Sequence, residues 1–205
     1  MRMRTCLNGL SAALFALALI MLALPATAQV QRIRGTIASI DGNTLTVNTR
    51  EGSQAKITLA DSWTVSALKK VDMSAIAPGT YVGIASAPMA GGGLRAVEVL
   101  LFPESARGNG EGHYAWDLAP GDMMTNATIT AVVNKSDGHS VNLKYKDGNV
   151  DILVPEGIPL VTPTGADRSD AKPGAALIIF ATKQADGTLT AARFTVEKDG
   201  VKPPM

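Results

Sequence analysis

The sequence predicts an all-β chain of two tandem OB-like small β-barrels, joined by a Gly-rich linker, after an N-terminal signal peptide. Three observations predict it. The chain is written twice: from Lys56 to Leu101 a shift of 95 residues lays one stretch over another without a gap. Each copy consists of short runs in which apolar and small polar residues alternate, the period of a half-buried strand. Acid-glycine dipeptides separate many of those runs, and they supply the positive φ that tight hairpins need.

The elements follow in order. Arg2 and Arg4 lead into the apolar run LSAALFALALIMLAL (10–24), which ends at the small-x-small site Ala26-Thr27-Ala28. A charged start, a short apolar stretch and a small-residue site make a secretory leader over 1–28. The run is shorter than the roughly twenty residues a spanning helix requires. Export to a periplasm or to the outside of the cell is therefore expected, with cleavage near Ala28. Cys6 lies inside this leader, so residues 29–205 carry no cysteine and no disulfide framework. The leader holds two arginines and no acids, so the formal charge of +1 for the whole chain becomes −1 beyond residue 28. No Lys/Arg cluster appears, which argues against nucleic acid as a partner. No later segment is long and apolar enough to span a membrane as a helix.

The first copy, assigned to 29–104, has strands near 33–40, 44–49, 54–59, 81–87 and 94–101. Turns fall at Asp41-Gly42, Glu51-Gly52 and Gly91-Gly92-Gly93. The long connection from Asp61 to Ala77 has room for an extra strand at Thr64–Leu68 and a helical turn at Met73–Ile76, capped by Asp72. The second copy, assigned to 125–205 with a short C-terminal tail, has strands near 127–134, 140–145, 149–154, 176–182 and 189–197. Its turns are Asp137-Gly138, Asp147-Gly148 and Asp186-Gly187. GTIASI (35–40) matches ATITAV (127–132) at a shift of 92, KITL (56–59) matches DILV (151–154), and APGTYVGIAS (77–86) matches KPGAALIIFA (172–181). Five hairpin-linked strands with one long connection after the third describe a closed barrel of OB type, with an open sandwich as the competing architecture. Units this small are near the lower limit of independent stability, so the two are expected to pack on each other. ALIIFA (176–181) is apolar on both faces, one face expected to fill the second barrel and the other to meet the first barrel or the linker.

The linker, 105–124, holds the chemistry. RGNGEGHYAWDLAPGDMMTN (107–126) gathers Glu111, His113, Tyr114, Trp116, Asp117 and Asp122 among glycines. Two readings stand side by side. In one, the stretch is a binding site: Glu111, His113 and Asp117 are donors that a divalent metal accepts, with Asp122, Met123 and Met124 in reserve. Tyr114 and Trp116 would serve an organic ligand or peptide. In the other, the stretch is a seam in which Tyr114 and Trp116 wedge between barrels, Asp117 accepts backbone amides and His113 hydrogen-bonds across.

No catalytic constellation stands out. His139 sits in a turn, no serine occupies a G-x-S-x-G elbow, and no cysteine nucleophile lies beyond the leader. Asn126-Ala127-Thr128 is a formal sequon. Trp63 and Tyr81 lack aromatic counterparts in the second copy and read as core.

RIRGTIASIDGNTLTV (32–47), PGTYVGIAS (78–86), LRAVEVLLFPE (94–104), GEGHYAWDLAPGDMMTNAT (110–128) and EKDGVKPPM (197–205) carry a resemblance. On them the chain resembles alphaproteobacterial secreted proteins of a domain-of-unknown-function family with OB-like barrels. The likeness covers nearly all of 29–205 and implies fold and compartment; it carries no activity with it. Some members bear the description "metal ABC transporter permease", which fits a chain with spanning helices, and none is present here beyond the leader. The expected function is a non-enzymatic binding or scaffold module for an unknown protein or small ligand. The alternatives are a metal-binding accessory of a transport system and an oligosaccharide or cell-wall binder.

Overall fold

The computed structural model describes residues 29–203, and the leader predicted over 1–28 lies outside the described residues. Twelve strands form one continuous sheet: β1 Gln29–Asp41, β2 Thr44–Thr49, β3 Gln54–Lys70, β4 Tyr81–Pro88, β5 Leu94–Leu101, β6 Gly112–Ala115, β7 Met123–Lys135, β8 Gly138–Tyr145, β9 Gly148–Val154, β10 Leu160–Gly165, β11 Ala176–Lys183 and β12 Leu189–Val196. The order is β12-β11-β1-β2-β3-β10-β5-β4-β7-β8-β9, with β6 on β7. Two further pairings, β12 with β3 and β5 with β9, each close a ring of five strands.

The two barrels do not coincide with the two copies. The first ring is β1-β2-β3-β12-β11, so strands of the first copy are closed by the last hairpin of the second. The second ring is β7-β8-β9-β5-β4, the reverse exchange. Within each ring the closing contact is parallel (β12 with β3, β5 with β9) and the remaining pairs are antiparallel. That is the OB order of strands one to three from one copy with four and five from the other. The contiguous division at 29–104 and 125–205 is thereby corrected. ALIIFA is corrected with it: Leu177, Ile179 and Ala181 fill the barrel built on β1 to β3, not the one built on the second copy's own first strands.

The physical reason lies in β3. The first copy has no breaker after Leu59, so the expected separate strand at Thr64–Leu68 is one piece with its predecessor, 17 residues long. At about 3.3 Å per residue it reaches about 55 Å, which carries the following hairpin out of its own barrel. In the second copy Pro155 and Pro159 interrupt the same path, leaving β9 and β10 separate. Where the two paths cross, β3 and β10 pair antiparallel, Ser66 with Gly165 and Lys70 with Val161. The middle pair is Leu68 with Pro163. These two positions are related by the 95-residue shift, so the exchange turns about a local two-fold through them.

Each barrel keeps its own core. Ile37, Leu45, Val47, Ile57 and Leu177 are sealed in the first. Val82, Ile84, Ile129, Val141, Leu143 and Ile152 are sealed in the second. The 3₁₀ turn Met73–Ala75 sits where a helical turn is expected, and Ile76 after it plugs the second barrel's core. Asp72 occupies the N-cap position but makes no side-chain capping bond, contrary to expectation. Hairpin glycines take the positive φ the sequence requires (57° at Gly42, 87° at Gly187), whereas Gly148 does not.

Candidate ligand site between the barrels

Strand periodicity decides what the linker residues face. In β6, successive side chains point to opposite sides of the strand. His113 goes one way: its Nδ1 is 2.8 Å from Thr125 Oγ1, and its ring stacks on Tyr145 of β8 at 6.0 Å. It bonds within its own barrel, not across the interface as the seam reading expects. Tyr114 goes the other way, and so does Trp116 just beyond β6, towards the first barrel. Glu111 is exposed. The metal triad of Glu111, His113 and Asp117 is therefore not assembled, and no group of three His, Cys, Asp or Glu side chains that could hold a metal ion occurs among the described residues.

Asp117 has another task. Its Oδ1 lies 2.7 Å from Nη1 of Arg32 and 2.7 Å from Nη1 of Arg34, both on β1. Its backbone carbonyl accepts a bond from Arg50 Nη2 at 2.8 Å. The seam reading expects backbone amides as its donors; guanidiniums take that role. Burial pushes the Asp117 carboxyl up, but the bonds to Arg34 and Arg32 outweigh it and hold it below the ordinary carboxylate range. Arg34 is 2 % exposed, so the carboxylate compensates a cation almost without water. The Arg32 guanidinium continues over the Trp116 ring, 3.5 Å from its centroid. Three arginines and one aspartate thus fasten the linker to the first barrel, while β6 fastens it to β7 of the second.

Between these fastenings a pocket of about 300 Å³ opens at the barrel interface. Leu68, Ile178, Phe180 and Thr195 wall it from the first barrel. Gly83, Ala85, Leu100, Phe102 and Met124 wall it from the second. Tyr114 and Trp116 supply the linker side, and the polar lining is Arg32, Glu98 and Asn126. Gly83 keeps the space clear: a Cβ there would stand 2.7 Å from Asn126 Oδ1 and 3.1 Å from the Phe102 ring. Asn126 donates to Asn109 O and Tyr114 Oη, both at 3.3 Å, which orients the phenol. Phe180 and Tyr114 remain partly exposed, at 51 % and 38 %.

Two polar groups of this lining are unsatisfied, and a third is desolvated. Nε of Arg32 and Nε1 of Trp116 are buried with no hydrogen-bond partner among the described residues. Glu98, on β5, is mostly buried, and burial pushes its carboxyl up to about 7, with Arg34 pulling weakly the other way. Buried donors without partners cost about 1–3 kcal/mol each, and a desolvated carboxyl that titrates near neutrality marks a functional-site candidate.

Of the predicted binding residues, the structure brings Tyr114 and Trp116 into one site with Asp117 behind them; Glu111 and His113 stand apart. Sequence reasoning missed Arg32, Arg34 and Glu98. Their signals were present: R-I-R puts two cations on the same outward face of a strand, and V-E-V puts an acid inside an apolar one. Trp63, expected to be core, is 6 % exposed and stacks on Phe194 at 5.5 Å. Tyr81 is likewise buried against Phe102. No helix among the described residues is long and apolar enough to cross a membrane. No family model, curated protein or solved structure matches the chain.

Proposed function

We propose that this is a non-enzymatic binding module, exported to a periplasm or beyond the cell, whose ligand is a small molecule held between the two barrels. The observation that carries the reading is the inter-barrel pocket itself. It is apolar, it is preformed, and a few polar groups line it, the usual make-up of a small-molecule site. Its size suits a compact ligand: about 300 Å³ is the liquid volume of roughly ten waters. The linker is then seam and site at once. Asp117 fastens it, and Tyr114 and Trp116 present their rings to the ligand.

The test is native mass spectrometry of residues 29–205 exported to a periplasm, beside an Ala85→Met variant that fills the pocket. A discrete added mass on the first protein and none on the folded variant is the expected result. Equal occupancy of both would move the ligand elsewhere, and turnover of a substrate by the purified protein would overturn the non-enzymatic reading.

A further inference from the structure

The polar groups in the pocket also specify the ligand's charge. We propose that the pocket takes a small, largely apolar carboxylic acid, with an aromatic or branched body against Trp116, Phe180 and Leu100 and its carboxylate on the Arg32 guanidinium. This inference rests on the small-molecule reading above and deepens it.

Two facts favour an anion. First, the Arg32 guanidinium lines the pocket, stays 22 % exposed, and is held in place 3.5 Å over the Trp116 ring. A carboxylate has two oxygens to offer a guanidinium, and charge-assisted bonds of this kind are the strong ones. Second, the local charge is positive. Arg32 and Arg34 face one carboxylate, Asp117, and a cationic ligand would enter against that surplus. Glu98 is the other acid. Burial holds its carboxyl near 7, so a bound anion leaves it protonated, and its O–H becomes a further donor. Ligand binding is thereby linked to proton uptake. The charged or titratable side chains facing Glu98 are Arg32 and Arg34 from β1 and Tyr114 from the linker, with Asp117 behind the arginines. The stretches of β3, β4, β7, β11 and β12 that line the pocket contribute none. The pH dependence therefore belongs to Glu98: Asp117 titrates below the ordinary carboxylate range, and Tyr114 is pushed above its usual value by burial.

The probes are 3-phenylpropionate, 3-phenylpropanol and 3-phenylpropylamine, which share one body and differ in the head group. Binding is measured by titration calorimetry at pH 6 and pH 8. The acid is expected to bind tightest of the three. Its affinity should fall about tenfold from pH 6 to pH 8, the change in the protonated fraction of a group titrating near 7. In Glu98→Gln the acid should bind with no such slope. In Arg32→Met, which keeps an unbranched side chain beside the Trp116 ring and deletes the cation, its affinity should drop at least about tenfold, since a hydrogen bond between charged groups is lost. Circular dichroism checks that both variants fold. If the alcohol or the amine binds at least as tightly as the acid, the charge assignment falls and the small-molecule reading survives. An acid affinity that is flat with pH in the parent protein removes the role of Glu98. If none of the three binds, and Ala85→Met changes nothing, both readings fall together.

Discussion

At the scale of single residues, two carboxyls set the pH behaviour of the molecule, and they act in opposite directions. Glu98 has a folded-state value pushed up to about 7 by burial, against about 4.3 in an unfolded chain. Between those values the native state holds a proton the unfolded chain has lost. Stability from this group therefore falls as pH rises from about 4.3 through 7 and is level above. Glu98→Gln removes the penalty, so it should leave stability near pH 4.5 unchanged and raise it at pH 8 by about 2–3 kcal/mol. Urea midpoints at the two pH values measure this, and a variant weakened equally at both would show that the carboxylate has an undetected partner. Asp117 is the reverse case, held low by two guanidiniums. Its contribution is complete above the unfolded value of about 3.9 and is lost as pH falls through the folded value. Asp117→Asn should cost about 2 kcal/mol at neutral pH, less than a fully buried pair because Asp117 is 46 % exposed, yet appreciable because Arg34 is 2 % exposed. Loss of the same stability in Arg34→Met would show that the carboxylate acts only as the partner of that buried cation.

At the scale of elements, the strands, turns and 3₁₀ position were legible because they depend on near neighbours in sequence. Alternation at Thr44–Asn48 and the Asp41-Gly42 turn specify β1, β2 and their register with little help from elsewhere. The partner of a hairpin is another matter. Tyr81–Pro88 and Ala176–Lys183 are written for the same kind of place, β4 against β7 and β11 against β1, and the periodicity of either strand fits both. What separates the two outcomes is how straight the path is after Leu59. A 17-residue strand with no proline or glycine between Gln54 and Lys70 leads away from its barrel, a consequence of length and stiffness that no local pattern announces. The site follows the same logic. Tyr114 and Trp116 were visible as an aromatic cluster among glycines. Arg32, Glu98 and Phe180 join them only because the exchanged hairpins bring β1, β5 and β11 together.

At the scale of the whole molecule, the exchange removes the independence that a tandem repeat ordinarily has. Neither half of the chain contains a complete barrel: 29–104 holds three strands of one and two of the other, and the second half mirrors it. Opening the first barrel strips β11 and β12 of partners, and these strands connect through β10 to β9 of the second. Tandem barrels on a linker would melt separately, each at its own temperature. Interlocked barrels should melt as one cooperative unit, with calorimetric and van't Hoff enthalpies equal for the full 29–205 chain. The sharper form of the test loads one barrel only. Leu45 is fully buried in the first barrel, and Leu45→Ala should cost about 2–5 kcal/mol through lost contacts and the cavity left behind. Hydrogen exchange then reads the second barrel, at the amides of Val141, Leu143 and Ile152. In an interlocked molecule their protection falls by the same free energy as that of β1 and β2, because no opening of one barrel spares the other. Protection in the second barrel that stays at the parent level would mean that the barrels unfold one at a time, and that the exchanged strands do not couple them.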